Sequence, residues 1–210
     1  MMGLVIFLRK RQNENWFRKL LINSMDTGLG DNVLLCSGFF QEYFKGGVYQ
    51  VSTEANFDGV LLKHKINLTT VGVHNPSWLT PYKNFRDNLK NQGIVVSAKL
   101  STTFHWHAKI FILKKDNRPI FGIVGSSNMT RNAFGVSTPF NFEADVFLWL
   151  DEFKELNDLI TESLAEIQQF NSEVIIADYD PEKNFGLTIE DRLKQLVSDV
   201  ENGELSDLPD

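Results

Sequence analysis

The sequence of residues 104–113 is Phe104-His105-Trp106-His107-Ala108-Lys109-Ile110-Phe111-Ile112-Leu113. Its length and apolar content predict a strand, and because side chains alternate along a strand, His105, His107 and Lys109 are expected on one face. Two imidazoles and an ammonium in line on an apolar strand are costly unless they meet a ligand or a cleft. The stretch therefore predicts a polar site on a buried strand.

Apolar runs of strand length alternate with amphipathic helices along the rest of the chain. Helices are predicted at residues 14–25, from Pro81 to a stop at Gly93, and at 151–170, and strands at 33–40, 66–73, 94–98, 120–125 and 142–150. Strands that are apolar on both faces and alternate with helices indicate a sheet covered on two sides. The predicted fold class is α/β.

The last 40 residues differ from the rest in charge. Residues 171–210 contain eleven Asp and Glu against three Lys and Arg, a net of −8, which leaves +2 for residues 1–170 of a chain whose total is −6. One helix is predicted from Thr188 to Val200, with Asp191 completing a capping box and Gly203 ending the helix. We therefore expect a domain at 1–170 and an acidic C-terminal appendage at 171–210.

The sequence shows no membrane segment. The apolar run at residues 4–8 is too short to span a bilayer, and the basic residues that follow it make it a poor signal peptide. The lone cysteine, Cys36, cannot form an intrachain disulfide, which fits a reducing compartment. A cytoplasmic protein with no membrane partner is expected.

A second polar segment follows the strand predicted at residues 120–125. It reads Gly125-Ser126-Ser127-Asn128-Met129-Thr130. At a strand-to-helix junction, such a segment is expected to offer free backbone N–H groups and short polar side chains to an anion such as a phosphate. The next predicted strand adds Glu143 and Asp145 on one face.

The order His107-x-Lys109 followed by Gly125-Ser126-x-Asn128 resembles the HKD signature of the phospholipase D superfamily, and the resemblance covers roughly residues 30–170. It implies a phospholipase D-like mixed sheet flanked by helices on both faces, with a single HKD motif per chain and residues 1–170 as the catalytic domain. The usual aspartate is missing, because its position carries Lys114. The remaining pattern has His, Lys and Asn followed by Glu143, without that aspartate. It resembles the pattern of the metal-independent restriction endonucleases of the superfamily (BfiI-like or NgoFVII-like).

This resemblance implies catalysis by His107, Lys109, Asn128 and Glu143 without a metal or other cofactor. His107 would attack phosphorus and form a phosphohistidine. Lys109, Asn128 and Ser126 would hold the phosphate oxygens, and Glu143 would bind an imidazole N–H.

The expected activity is a phosphodiesterase, namely an endonuclease of the restriction or defence type acting on nucleic acid, with DNA favoured over RNA. Relatives with one HKD copy form a homodimer with a shared active site, which implies one His107 from each protomer. Two alternatives stay open. One is a phospholipid phosphodiesterase or transphosphatidylase, and the other is a non-catalytic nucleic-acid-binding member of the fold.

Several residues also have an ordinary structural interpretation. His105 and Arg131 suit substrate binding, but also a structural histidine and a surface arginine. Ser127 suits substrate binding or a helix cap. A metal ion could instead be bound by His105 and His107 together with Glu143 or Asp145. Lys109 on the same face disfavours this alternative, because its ammonium would repel the cation. A basic cluster is interpreted as a solvated loop, with contacts to a nucleic-acid backbone as the alternative: Lys114, Lys115 and Arg118. The tryptophans are interpreted as core residues, with base stacking as the alternative: Trp16, Trp78, Trp106 and Trp149.

Overall fold

The computed structural model describes residues 3–73, 75–101, 107–167 and 172–210. The strands are β1 (Leu4–Arg9), β2 (Asn32–Ser37), β3 (Asn67–Gly72), β4 (Val96–Ser101), β5 (Lys109–Lys115), β6 (Arg118–Gly125), β7 (Glu143–Trp149), β8 (Val174–Ala177) and β9 (Leu205–Asp207). The α-helices are α1 (Trp16–Asp26), α2 (Phe57–Lys63), α3 (Leu79–Asn91), α4 (Arg131–Phe134), α5 (Lys154–Ile167) and α6 (Ile189–Glu201).

The strands form one mixed sheet in the order β8-β1-β7-β6-β5-β2-β3-β4-β9. The pairs β2–β3 and β3–β4 are parallel, and the other neighbours are antiparallel. Helices α1, α2, α3 and α5 cover one face, where the core is rich in phenylalanine. Helix α6 covers the other face, with Val200 and Leu196 against Ile110 and Ile112. The α/β fold and the helices on both faces are confirmed.

Glycine lets α6 approach the sheet closely. A Cβ at Gly122 in β6 would lie 2.4 Å from Leu193 Cδ2, so the leucine occupies the space that any other residue would fill. Helix α6 begins with the expected capping box, in which Thr188 and Asp191 bond to each other's backbone N–H. The helix predicted in the acidic segment is therefore confirmed.

Two differences from the sequence prediction concern strands of the sheet. Residues 4–8, which were considered only as a membrane or leader segment, belong to strand β1. The central polar strand begins at Lys109, so His107 precedes it, and its prediction as a strand residue is wrong. His105 lies outside the described residues.

Residues of the acidic segment form both outer strands of the sheet. β8 pairs with β1, and β9 pairs with β4. The division into 1–170 and 171–210 stays a prediction. No helix in the described ranges combines the length and the apolar character that a membrane span requires.

Candidate functional site

The residues singled out in the sequence meet at one end of the sheet. β2 and β6 end there at Ser37 and Gly125, while β5 and β7 begin there at Lys109 and Glu143. Lys109 pairs in register with Gly125, and Gly125 pairs with Asp145. Alternating side chains then place Lys109, Glu143 and Asp145 on the face that carries the larger helical layer.

Lys109 is half-buried, and its Nζ donates a hydrogen bond to the carbonyl of His107. Burial lowers the pKa of this ammonium below its ordinary value, while Glu143 and Asp145 oppose the shift. The lysine is thus a cation in a partly desolvated setting, close to two carboxylates and to the backbone of His107. The His107 side chain is exposed.

The segment from Gly125 to Thr130 was expected to offer free backbone N–H groups. That expectation is wrong for four of them. Those of Ser126 and Thr130 bond to backbone oxygens, and those of Ser127 and Met129 bond to the side chains of Asp145 and Ser37. The backbone N–H of the next residue, Arg131, bonds to the Gln41 side chain. The segment is fixed by the protein itself, and its side chains are what it can present to a ligand.

Ser126 and Ser127 each bind a carboxylate of β7. Ser126 is an exposed residue, and its Oγ donates to Glu143 Oε2 and accepts the Ala144 N–H at 3.0 Å. Ser127 is 1% exposed, and its Oγ donates to Asp145 Oδ2 at 2.6 Å. The helix-cap interpretation of Ser127 is wrong, because the residue that precedes α4 is Thr130.

Glu143 is 5% exposed and accepts hydrogen bonds from Ser126 Oγ and, at 2.9 Å, from Asn141 Nδ2. Asp145 is 3% exposed, and burial raises its pKa to about 6. A Cβ at Gly125 would lie 2.0 Å from Asp145 Oδ1, so only glycine leaves room for this carboxylate. The glycine of the motif therefore has a steric role beneath the site.

Asn128 is held by Ser37, a residue that the sequence analysis missed. Ser37 Oγ lies 3.2 Å from Asn128 Oδ1 and 2.7 Å from the Phe39 carbonyl, and it accepts the Met129 N–H at 3.0 Å. When Asn128 Oδ1 faces this hydroxyl, its Nδ2 is left to donate to a ligand. The continuous apolar run from Val33 concealed the polar role of Ser37.

Arg131 is exposed, and its Nε donates to Ser137 Oγ at 2.8 Å. It lines a cavity of about 540 Å³ together with Gln41, Tyr49 and Glu54. Its role as a phosphate ligand stays a prediction, as does the role of His105.

Arg9 and Asn15 hold the chain that follows Asn128, and the sequence analysis missed both. Arg9 is 4% exposed, and its guanidinium donates to the carbonyls of Asn132, Ala133 and Gly135 at 2.8–2.9 Å. Asn15 Nδ2 donates to the Ala133 carbonyl at 2.8 Å and the Phe134 carbonyl at 2.9 Å. The basic run Arg9-Lys10-Arg11 gave no sign that its first arginine, at the end of β1, is buried.

The basic cluster at 114–118 lies at the opposite end of β5, roughly 17 Å from Lys109 at about 3.3 Å per residue. Its cations already have partners. Lys114 pairs with Glu201 at 3.0 Å, Arg118 pairs with Glu190 at 2.6 Å, and Lys115 lies over the Phe153 ring. The interpretation as a solvated loop is wrong, because Lys114 and Lys115 belong to β5 and Arg118 belongs to β6.

Within the described ranges, no group of three or more His, Cys, Asp and Glu side chains is arranged to hold a metal ion. The metal-binding alternative partly rests on His105, which is outside those ranges, so the alternative stays untested.

Comparison with known proteins supplies structural neighbours and a family. No curated protein sequence matches the chain. Among solved structures, NucT from Helicobacter pylori aligns with a TM-score of 0.38 and 12% identity over 83% of this chain and 98% of its own. Phosphatidylserine synthase from Haemophilus influenzae Rd KW20 aligns with a TM-score of 0.47 and 11% identity over 94% of this chain. The chain spans 46% of that synthase.

The family model described as the NgoFVII restriction endonuclease N-terminal PLD domain matches residues 71–176, half of the 210-residue chain. The match includes β4, β5, β6 and β7, and with them Lys109, Asn128 and Glu143. The chain belongs to this family and is a phosphodiesterase-type member of the phospholipase D superfamily.

Proposed function

We propose that the chain is an endonuclease that cleaves nucleic acid, DNA in preference to RNA, through a phosphohistidine on His107. The proposal rests on one observation: Lys109, Asn128 and Glu143 meet at one end of the sheet. His107 lies at the same end, two residues before Lys109 opens β5. Membership of a restriction endonuclease domain family supports DNA as the substrate.

The proposed reaction has two displacements. A neutral His107 ring nitrogen forms a bond to phosphorus, the bond to one ester oxygen breaks, and that oxygen takes a proton from a second acid. Water then attacks the phosphohistidine, gives a proton to the conjugate base of that second acid, and releases His107 as the bond from its nitrogen to phosphorus breaks. Lys109 and the Asn128 amide hold the non-bridging oxygens and offset the charge that develops on them.

Glu143 fits the role of orienting an imidazole. Its two oxygens already accept from Ser126 and Asn141, and each oxygen keeps a further lone pair. The buried carboxylate also stabilises an imidazolium after proton uptake. Ser126 is the member of the serine pair with an exposed hydroxyl near phosphate, whereas Ser127 acts through Asp145.

We place the second acid in a second chain. In this arrangement two protomers meet on a twofold axis, and each supplies one His107 to a shared site. A mixture of the parent chain with His107→Ala at equal concentration then has about a quarter of its dimers fully competent after random exchange. Activity that falls only to half would mean that each protomer works alone, as would an active monomer in analytical ultracentrifugation.

The proposed function is tested by cleavage in EDTA of labelled DNA, RNA and a phosphatidylcholine analogue. We expect cleavage of DNA that His107→Ala abolishes and that His64→Ala leaves unchanged. His64 is the matched control because it pairs with Asp26 at 2.8 Å, away from the site residues. Loss of activity in EDTA, preference for the lipid, or full activity of His107→Ala would each overturn the proposal.

A further inference from the structure

Three aromatic side chains form a cluster just beyond the carboxyl ends of β2 and β3. Trp78 stacks on Phe44 with ring centroids 3.9 Å apart and an interplanar angle of 7°, and it contacts Phe39 at 4.7 Å. All three are half-buried, whereas Trp16 and Trp149 are each 3% exposed. The prediction of core residues thus holds for Trp16 and Trp149, and Trp78 lies at the surface.

This aromatic cluster (Phe39, Phe44 and Trp78) is connected directly to the candidate phosphate site. The Phe39 carbonyl accepts a hydrogen bond from Ser37 Oγ at 2.7 Å, and the same Oγ lies 3.2 Å from Asn128 Oδ1. Phe39 follows Ser37 by only two residues in the chain, so a ligand whose phosphate contacts Asn128 has aromatic surface close to it.

The cluster also carries a cation on a fixed turn. Lys45 Nζ lies 5.3 Å from the Phe44 ring centroid. Tyr43 and Lys45 have φ values of 55° and 52°, a left-handed conformation that non-glycine residues adopt at a cost. The turn thus holds an ammonium beside an aromatic surface, the combination that binds a backbone phosphate and stacks a base.

We infer that the aromatic cluster stacks an unpaired base of the strand whose phosphate lies at Asn128, which makes the substrate a single-stranded or locally unpaired nucleic acid. The inference rests on the proposed function for the position of the phosphate. A paired base offers only its edges, because both of its faces are covered by neighbours in the duplex. A planar aromatic surface recognises a base face, which is open only where the strand is unpaired.

The test measures binding separately from cleavage, in the full-length His107→Ala chain. The probes are a labelled single-stranded DNA oligonucleotide, a strand of the same length made of abasic sites, and a hairpin duplex. We expect the single strand to bind more tightly than the hairpin. Adding Trp78→Ala should weaken binding of the single strand by about tenfold or more and leave binding of the abasic strand unchanged.

Three further variants complete the test. Trp78→Phe keeps a stacking ring and should restore most of the affinity, while Phe44→Leu should weaken binding as Trp78→Ala does. Phe185→Ala removes an aromatic side chain that is 91% exposed and lies between β8 and α6. It should leave all three affinities unchanged.

Several outcomes would overturn the inference: equal affinity of the parent and Trp78→Ala for the single strand, an equal loss for the abasic strand, or tighter binding of the hairpin. Failure of the proposed function has a different signature. In that case the chain with His107 intact cleaves nothing, while base-dependent binding through Trp78 persists.

Discussion

Ser127 gives Asp145 two hydrogen bonds, one from its hydroxyl at 2.6 Å and one from its backbone N–H at 3.2 Å. The pair lies beneath the candidate site and joins the segment after β6 to β7. Because burial dominates over these bonds, the pKa of Asp145 is raised to about 6 from an ordinary value of 3.8.

The raised pKa predicts a pH-dependent stability. Between pH values of about 4 and 6 the folded chain holds a proton on Asp145 that the unfolded chain releases. The stabilisation is full below the unfolded pKa and is lost as pH rises through the folded pKa, up to about 3 kcal/mol at about 1.4 kcal/mol per pKa unit. Asp145→Asn should flatten this part of the profile in urea unfolding from pH 4 to 7. A profile that matches the parent, or an equal change in the exposed control Asp199→Asn, would contradict it.

Ser37→Ala is expected to lower kcat by roughly tenfold with little change in KM, because Asn128 loses the group that orients it toward a developing charge. Ser24→Ala is the control, since Ser24 is also buried and bonds only a helix carbonyl, that of Leu21, at 3.0 Å. Both variants remove one buried serine hydroxyl. If their kinetic parameters fall together, Ser37 has no positioning role.

Arg9→Lys is expected to destabilise the fold by roughly 2–4 kcal/mol, because an ammonium cannot reproduce the fork that reaches three carbonyls at once. The free energy of unfolding in urea measures the loss. Arg18→Lys alters an arginine that pairs with Glu54 at the partly exposed surface, and it should cost less than about 1 kcal/mol. Equal losses would refute a special role of Arg9.

Lys114→Ala and Arg118→Ala should leave affinity for nucleic acid within about twofold of the parent, because both cations are paired with acidic residues far from the candidate site. Lys109→Ala should lower affinity and reduce the salt dependence of binding by about one phosphate contact. Titrations of labelled DNA at several salt concentrations distinguish these cases. A reduced salt dependence for Arg118→Ala would assign the basic cluster to the substrate.

The sequence was most informative where a residue's role depends on neighbours close along the chain. The apolar run of β2, the face of α1 and the capping box of α6 all follow from local spacing, and each is observed. The motif residues Lys109, Asn128 and Glu143 were identified by their resemblance to the HKD signature of the phospholipase D superfamily. The structure brings all three to one end of the sheet.

The groups that hold the motif in place come from distant segments, and no local pattern predicts such contacts. Arg9 reaches carbonyls more than 120 residues away in the chain, and Ser37 bonds a residue 91 positions away. The backbone N–H groups of Ser126, Ser127 and Met129 were expected to be open and are bonded for the same reason, because their partners lie on β7 and β2. Residues 4–8 form a strand because they pair with β7, which is distant in the sequence. Their apolar character alone is equally compatible with other kinds of segment.

β8 and β9 are the outer strands of the sheet, and they are only four and three residues long. An outer strand has unpaired backbone N–H and C=O groups, and a strand of another chain can add to the sheet by bonding to them. Short outer strands expose few of these groups. Cutting the chain after residue 170 would uncover β1 and β4, each six residues long, and favour polymerisation through exposed strands. We therefore expect the acidic segment to limit association through strand edges, and the proposed dimer to form through surfaces other than these two edges.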